Sequence, residues 1–490
     1  MTTIVIDHRN KAPKGDDTVL YAARTKIFPQ SVRGKFRTIK WALLAITLSI
    51  YYILPFLRWD RGPGAPDQAV LVDLTNGRFY FFFIEIWPQE VYYITGLLII
   101  ASLVLFLMNA IAGRIWCGYL CPQTVWTDLF MMVERAIEGD RRQRIQLDAA
   151  PWTASKVARR TLKHGIWIAI AWWTGGAWVL YFADAPTLVH QLATFQAPMM
   201  AWLWIGILTS TTYLLAGHMR EQVCTYMCPW PRIQASLTDE YALNVTYRYD
   251  RGEPRESLKK SLLLRGQGLP AGDCIDCLQC VNTCPTGVDI RQGIQLACIN
   301  CGLCIDACDA VMKKIGRPTG LIAYDNDLNV RRREEGKPSI YKLLRARTVL
   351  YAALIALVAG IMLAALGTRS MTGVNVLHDR NPIYVQLADG SVRNAYTVRV
   401  LNKELQASRF AVTVDGVPNA KVELIGDVRF DGGRPIIEVG SDQTREVRLL
   451  VTVHASQLPK GASLPVTIHV TPVEGEPGQA AMASDFFKGP

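Results

Sequence analysis

Residues 274–308 decide the reading: Cys274-Ile-Asp-Cys277-Leu-Gln-Cys280-Val-Asn-Thr-Cys284-Pro285, then Cys298-Ile-Asn-Cys301-Gly-Leu-Cys304-Ile-Asp-Ala-Cys308. Each run spaces its cysteines as C-x2-C-x2-C-x3-C. In that bacterial cadence three neighbouring thiolates wrap one iron–sulfur cube and the fourth cysteine serves the other. The spacing predicts two [4Fe-4S] clusters, one on Cys274, Cys277, Cys280 and Cys308, the other on Cys298, Cys301, Cys304 and Cys284. A pair of zinc sites is the competing reading, although zinc motifs rarely run four cysteines in this cadence. The module, 251–325, is small, and such domains seldom fold without their metal. Its chemistry is electron transfer.

Outward from this module, the remaining four of the twelve cysteines form two pairs, Cys117 with Cys121 and Cys224 with Cys228. None follows Cys308. Cluster thiols must stay reduced, which suits the cytoplasm, and a cysteine-free tail suits the oxidising side of a membrane. Chance alone could also leave a tail of that length without cysteine.

Half of the 490 residues are hydrophobic, and they are bunched. Five runs are long enough for a bilayer, which takes about 20 apolar residues: 38–57, 90–112, 164–182, 198–217 and 348–366. A shorter patch from Phe79 to Trp87, broken by Glu85, reads as an interfacial or re-entrant segment. Lys and Arg crowd the N-terminal arm, the loop 113–163 and the segment before the last run, whereas 183–197 has none. By the positive-inside rule the N-terminus and cluster module are cytoplasmic and the tail is outside, in the periplasm of a bacterial inner membrane crossed several times. The net charge of +11 is accounted for by these flanks, so no nucleic-acid partner is expected. Residues 1–37 are polar, and no cleavable signal peptide is expected.

The predicted order is a cytoplasmic arm, 1–37; a four-span membrane domain, 38–250; the cluster module, 251–325; a basic linker, 326–347; a fifth span, 348–366; and a tail, 370–490. The fold class is multi-domain: an α-helical membrane bundle, a bacterial-ferredoxin-like module and a C-terminal β-sandwich of immunoglobulin type. The sandwich rests on alternating runs such as 395–400, 410–414 and 446–453, separated by Asp-Gly turns. The membrane domain reads as a repeat, two spans followed by Cys-x3-Cys-Pro, with Tyr119 and Tyr226 at matching places. After the first element, Val125, Leu129, Val133 and Ile137 form an apolar stripe on a predicted surface-lying helix ending near Gly139.

On a helix, Cys-x3-Cys turns both thiols to one side. Four such thiols converging near the cytoplasmic leaflet suit Cu(I), an iron–sulfur cluster or zinc. Proline after Cys121 and Cys228 places both at helix N-termini, where the dipole favours thiolate. The plainer reading is buried small residues at span ends. No pair of histidines is placed for a membrane haem, and His218 reads as interfacial, a ligand or a proton carrier. No Gly-x-Gly-x-x-Gly follows a strand, so no nicotinamide or flavin domain is expected.

In this order, the cluster motif, the paired Cys-x3-Cys-Pro elements and the β-rich tail resemble the FixG/CcoG family of accessory proteins for haem–copper cytochrome c oxidases. The specific matches include Trp116 to Gln123, Glu138-Gly139-Asp140-Arg141, Cys284-Pro285-Thr286-Gly287, Gly320-Leu321-Ile322 and Arg380-Asn381-Pro382. Asp309 stands where ferredoxins often have proline, and here resembles the family. The resemblance implies a membrane cupric reductase that supplies Cu(I) for oxidase assembly, with copper as substrate. From softness and position, Cys117, Cys121, Cys224 and Cys228 are the candidates for copper contact and so the catalytic set. Implied partners are oxidase assembly machinery or a copper transporter; the electron donor is unspecified and a homodimer stays open. Two rival readings are a quinol-linked polyferredoxin conduit and a non-catalytic assembly factor.

Overall fold

The computed structural model describes residues 26–61, 65–404, 406–426, 429–431, 434–440, 443–458, 461, 463–473 and 480–489. They divide into two compact units, one of residues up to 43 with 112–167 and 215–341, the other of 44–111, 168–214 and 342–490.

Among the described residues four helices are long and apolar enough to cross a membrane: Lys35–Phe56, Tyr92–Ala112, Met199–Met219 and Ala346–Gly367. At 1.5 Å per residue each is about 32 Å long, the thickness of a hydrocarbon core, and a helix satisfies its own backbone there. The run 164–182, expected as a further span, belongs to the helix Ala154–Val179, which is not one of the four. Its 26 residues begin with Lys156, Arg159, Arg160 and Lys163, so charge gathers at one end and the apolar run at the other. Polar contacts nevertheless join this helix to the first: Tyr51 donates to the Thr174 carbonyl at 2.8 Å, and Tyr181 to that of Tyr51 at 2.9 Å.

Phe79–Trp87 is neither re-entrant nor helical. It forms most of a three-stranded antiparallel sheet, β1 (Val70–Asp73), β2 (Arg78–Phe81) and β3 (Ile84–Ile86). Aromatic and β-branched residues in alternation favour a strand over a short helix. Glu85, which breaks the apolar run, is buried against Arg78 at 3.4 Å.

In the other unit β4 (Asn244–Tyr247) pairs with β5 (Ile322–Asp325) under the cysteine-rich loops. Residues 252–272 hold a helix, Leu258–Gly266.

The tail forms two five-stranded sheets. One has the order β10 (Lys421–Ile425), β13 (Gln443–His454), β8 (Ser391–Asn402), β6 (Thr372–His378), with β7 (Val385–Gln386) also on β8. The other runs β11 (Arg429–Asp431), β12 (Arg434–Val439), β9 (Ser408–Asp415), β14 (Ser463–Pro472), β15 (Ala481–Lys488). Inward positions at every second residue, such as Tyr396, Val398 and Val400 on β8 and Val466, Ile468 and Val470 on β14, are fully buried in one core. That period of two makes the sandwich.

The helix after Cys121 spans Pro122–Glu138 and stops at Gly139, whose φ of +86° favours glycine. Leu129, Val133 and Ile137 are only half-buried, whereas Asp128, Glu134 and Glu138 are fully inside. These acids meet cations: Lys40 and Arg37 on Asp128 at 2.8 and 3.4 Å, Arg220 and Arg144 on Glu134 at 2.9 and 3.0 Å, and Lys163 on Glu138 at 2.8 Å. Periodicity cannot see such pairing, because a buried acid scores as polar whatever faces it.

Candidate redox site

The cysteine-rich loops fold as two matching halves. The residues on either side of the second cysteine in each run are left-handed: Asp276 and Leu278 around Cys277, Asn300 and Gly302 around Cys301, with φ between +52° and +72°. Three of these are not glycine, so the conformation is held by need, and it turns successive backbone N–H groups toward one point. Short helices follow, Gln279–Thr283 and Leu303–Lys314.

Cys284, Cys298, Cys301 and Cys304 line one cavity together with Val245, Val288, Ile290 and Ile299. Burial pushes the Cys298 thiol up to about 12, that of Cys301 to about 11, and that of Cys304 well above the ordinary value; Cys284 repels all three. Burial likewise raises Cys280 and Cys308 to about 12, and here the repelling thiols include Cys274 and Cys277. The thiols therefore form two groups of four that cross between the runs. Thiols whose ionisation burial opposes, as at Cys280, Cys298, Cys301, Cys304 and Cys308, are donors that cationic charge would satisfy. Among the described residues no three His, Cys, Asp or Glu side chains are gathered about a single-ion position, as the short bonds of zinc would require. The donors fit iron–sulfur cubes. Val288 N–H donates to the Cys284 sulfur at 3.3 Å, and Asp309 accepts from Gly320 N–H at 2.8 Å, closing the turn that leads into β5.

The four span-end thiols belong to the same unit as this module. Neither pair lies on one continuous helix. Cys117 is in the short helix Ile115–Tyr119 and Cys121 caps the next; Cys224 lies in a widened turn closed by Cys228 N–H to the Val223 carbonyl at 2.8 Å. Such i→i+5 turns are frequent at functional sites. The thiols still feel one another's charge, Cys117 that of Cys121, Cys224 and Cys228, and Cys224 that of Cys121 and Cys228, although among the described residues no three of them gather about one ion position. Burial comes first in both, pushing Cys117 to about 12 and Cys224 to about 11. For Cys121 the helix-end effect loses: burial raises the thiol more than the Thr124 and Gln123 N–H groups lower it.

Arg114 joins the two sulfur sets. Its guanidinium donates to the Cys298 carbonyl at 3.2 Å and the Pro231 carbonyl at 2.6 Å, and its charge feels Cys117, Cys298, Cys224 and Cys228. Gly118 permits the approach, since a Cβ there would stand 2.7 Å from the Ile299 carbonyl and 3.0 Å from the Cys301 Cα. Tyr119 donates to the Cys301 carbonyl at 3.0 Å. Asp306 accepts from the Phe36 and Arg37 N–H groups at 3.2 and 2.8 Å, capping the first candidate span. Sequence reading missed Arg114, Gly118 and Asp306. The only signal was their nearness to cysteines.

Comparison with known proteins places this geometry. A 4Fe-4S dicluster domain profile matches residues 219–327, and a 4Fe-4S binding domain profile matches 94–138. The profile for the IG-like fold at the C-terminus of FixG matches 362–490. Protein RdxA of Cereibacter sphaeroides is 50% identical over 96% of this chain and 98% of its own length. The nitrogen fixation protein FixG of Rhizobium meliloti is 49% identical over 90% of this chain and 88% of its own. This chain belongs to the FixG family. Protein RdxB of Cereibacter sphaeroides is also similar, 51% identical over 85% of this chain and 87% of its own. The FixG-family chain is thus a membrane protein with ferredoxin-type iron–sulfur domains, an electron-transfer chemistry and an immunoglobulin-like C-terminal domain.

Proposed function

We infer that this chain is a multi-pass inner-membrane oxidoreductase that reduces Cu(II) to Cu(I) for assembly of a haem–copper oxidase. The carrying observation is that the span-end thiols Cys117, Cys121, Cys224 and Cys228 lie within charge range of one another, with Arg114 placed between Cys117, Cys224 and Cys228 on one side and Cys298 on the other. Cys274, Cys277, Cys280 and Cys308 would hold one [4Fe-4S] cluster, and Cys284, Cys298, Cys301 and Cys304 the other. When bound, these clusters supply one-electron transfer at low potential. The chain's own residues do the rest. The span-end thiols offer soft ligands to the substrate metal, whose preference for sulfur grows as Cu(II) becomes Cu(I). Arg114 keeps positive charge between the two sulfur sets, and burial around Cys117 and Cys224 keeps water from competing.

In this reading the N-terminal arm and cluster module face the cytoplasm, and the immunoglobulin-like domain stands in the periplasm. There it would meet oxidase assembly machinery or a copper transporter. The test is anaerobic stopped-flow spectroscopy of dithionite-reduced protein mixed with Cu(II) and a Cu(I)-specific chelator. Cluster absorbance should recover in step with Cu(I) appearance, and Cys117→Ala with Cys224→Ala should remove the effect. Reduced protein that sits unchanged beside Cu(II) would sink the reductase and leave an assembly scaffold.

A further inference from the structure

A cavity of about 270 Å³ lies in the unit that holds the cysteines, lined by Phe28, Trp167, Gly217, His164, His218 and Glu221 among others. Gly217 and His218 belong to the last turn of the candidate span Met199–Met219, so the cavity sits at the depth where a membrane helix ends. Arg220 N–H closes a widened turn there onto the Leu215 carbonyl at 2.8 Å. The two imidazoles are nearly parallel, 8° apart with centroids 5.6 Å from one another, and the Trp167 indole stands edge-on to both.

The charges on the wall narrow the occupant. Every cation there already has a carboxylate: Lys26 and Arg160 on Asp148 at 2.6 and 2.7 Å, Lys163 on Glu138 at 2.8 Å, Arg220 on Glu134 at 2.9 Å. A phosphate or other anion would have to displace an acid. A metal ion finds no group of three ligating side chains among the described residues. The lining also presents aromatic surface, the imidazoles of His164 and His218, and the Glu221 carboxylate, which accepts from the Gln222 amide at 3.3 Å. Those groups suit a flat, neutral ring that has protons to lose. Cavities that take small molecules run from about 300 Å³ upward, so this one suits a single ring with its tail outside.

We propose that this cavity binds the ring of a membrane quinol, which serves as electron donor to the cysteine-held centres; this rests on the redox reading above. The quinol's two O–H bonds break and one proton passes to each of His164 and His218. Its two electrons leave singly, to two one-electron iron–sulfur acceptors, and the ring departs as quinone. Arg220 and Glu221 also line a second, smaller hollow that reaches Cys224, Thr286 and Ile299, so one pair of residues separates the ring from the sulfur sets.

The test uses the full-length protein in lipid nanodiscs, with ubiquinone carrying one isoprenyl unit as probe. Two variants remove different features. His218→Ala deletes a proton acceptor. Gly217→Leu fills the cavity, since even a Cβ there meets the Trp167 ring at 3.2 Å and the Phe130 ring at 3.4 Å. Equilibrium dialysis should show binding that either variant weakens about tenfold or more, which is about 1.4 kcal/mol. The corresponding quinol should bleach cluster absorbance in wild type and not in His218→Ala, whose clusters dithionite still reduces. No binding by wild type, or binding by both variants as tight as that of wild type, would overturn the proposal. Dithionite-driven copper reduction is read separately on the same samples, so its loss would count against the reductase alone.

Discussion

At the scale of single residues, the sulfurs and Arg114 set the chemistry. The crossed grouping has a consequence that iron analysis can read. Cys274→Ala and Cys308→Ala should each remove roughly half of the iron, and combining them should remove no more, because both thiols hold one cube. Cys274→Ala combined with Cys284→Ala should remove nearly all of it. Straight grouping within each run would give the opposite pattern. Arg114 is 8% exposed and supplies positive charge to sulfur on two sides. Arg114→Met should lower the midpoint potential of the nearer cluster, on the order of tens of millivolts, as loss of a neighbouring cation disfavours the more negative state. Arg114→Lys should recover part of that shift in a redox titration; equal potentials in all three proteins would remove Arg114 from this role.

At the scale of elements, the helix Pro122–Glu138 shows how charge can anchor what an apolar stripe does not. Glu134 is buried, and burial alone pushes its carboxyl up, but Arg220, Arg144 and Lys163 together pull it below the usual range. Because the folded carboxyl titrates lower than the unfolded one, its contribution is present above the ordinary Glu value near 4.3 and fades as pH falls through the lower, folded value. Glu134→Ala leaves Arg144, 1% exposed, without its acid. Breaking such a pair costs about 3–5 kcal/mol, and thermal unfolding in detergent should show a Tm lower by roughly 5–10 °C. Glu134→Gln should fall between. A Tm unchanged in both would mean the network is solvated rather than buried.

At the scale of the whole molecule, the tail is the part that stands by itself. Its core, from Val392 to Phe487, is drawn wholly from its own strands. Polar ties connect it to the rest of its unit, as Lys403 on Glu90 at 2.7 Å and, just before it, Arg369 donating to the Glu85 carbonyl at 2.8 Å. Residues 370–490 expressed alone should therefore unfold cooperatively and hold no iron, as circular dichroism and metal analysis would show. The cysteine-rich module should behave oppositely. Its interior sets Cys274, Cys280 and Cys308 among the aliphatic side chains of short elements, so removing iron should unfold it.

Local pattern was sufficient for whatever depends on neighbours in the chain. The cysteine cadence, the apolar runs of span length and the alternation in the tail each state their element directly, since spacing and period act over a few residues. Tertiary structure decided the rest. Phe79–Trp87 became strands because two partners lay alongside, and Asp128, Glu134 and Glu138 turned inward because cations from four distant segments met them. His218 read alone as an interfacial residue, yet the fold stacks it on His164 at one cavity. Arg114 gave no signal until Cys298 and Pro231 closed around it. Pairings across more than a hundred residues are set by packing and charge complementarity in space, and no window along the chain contains them.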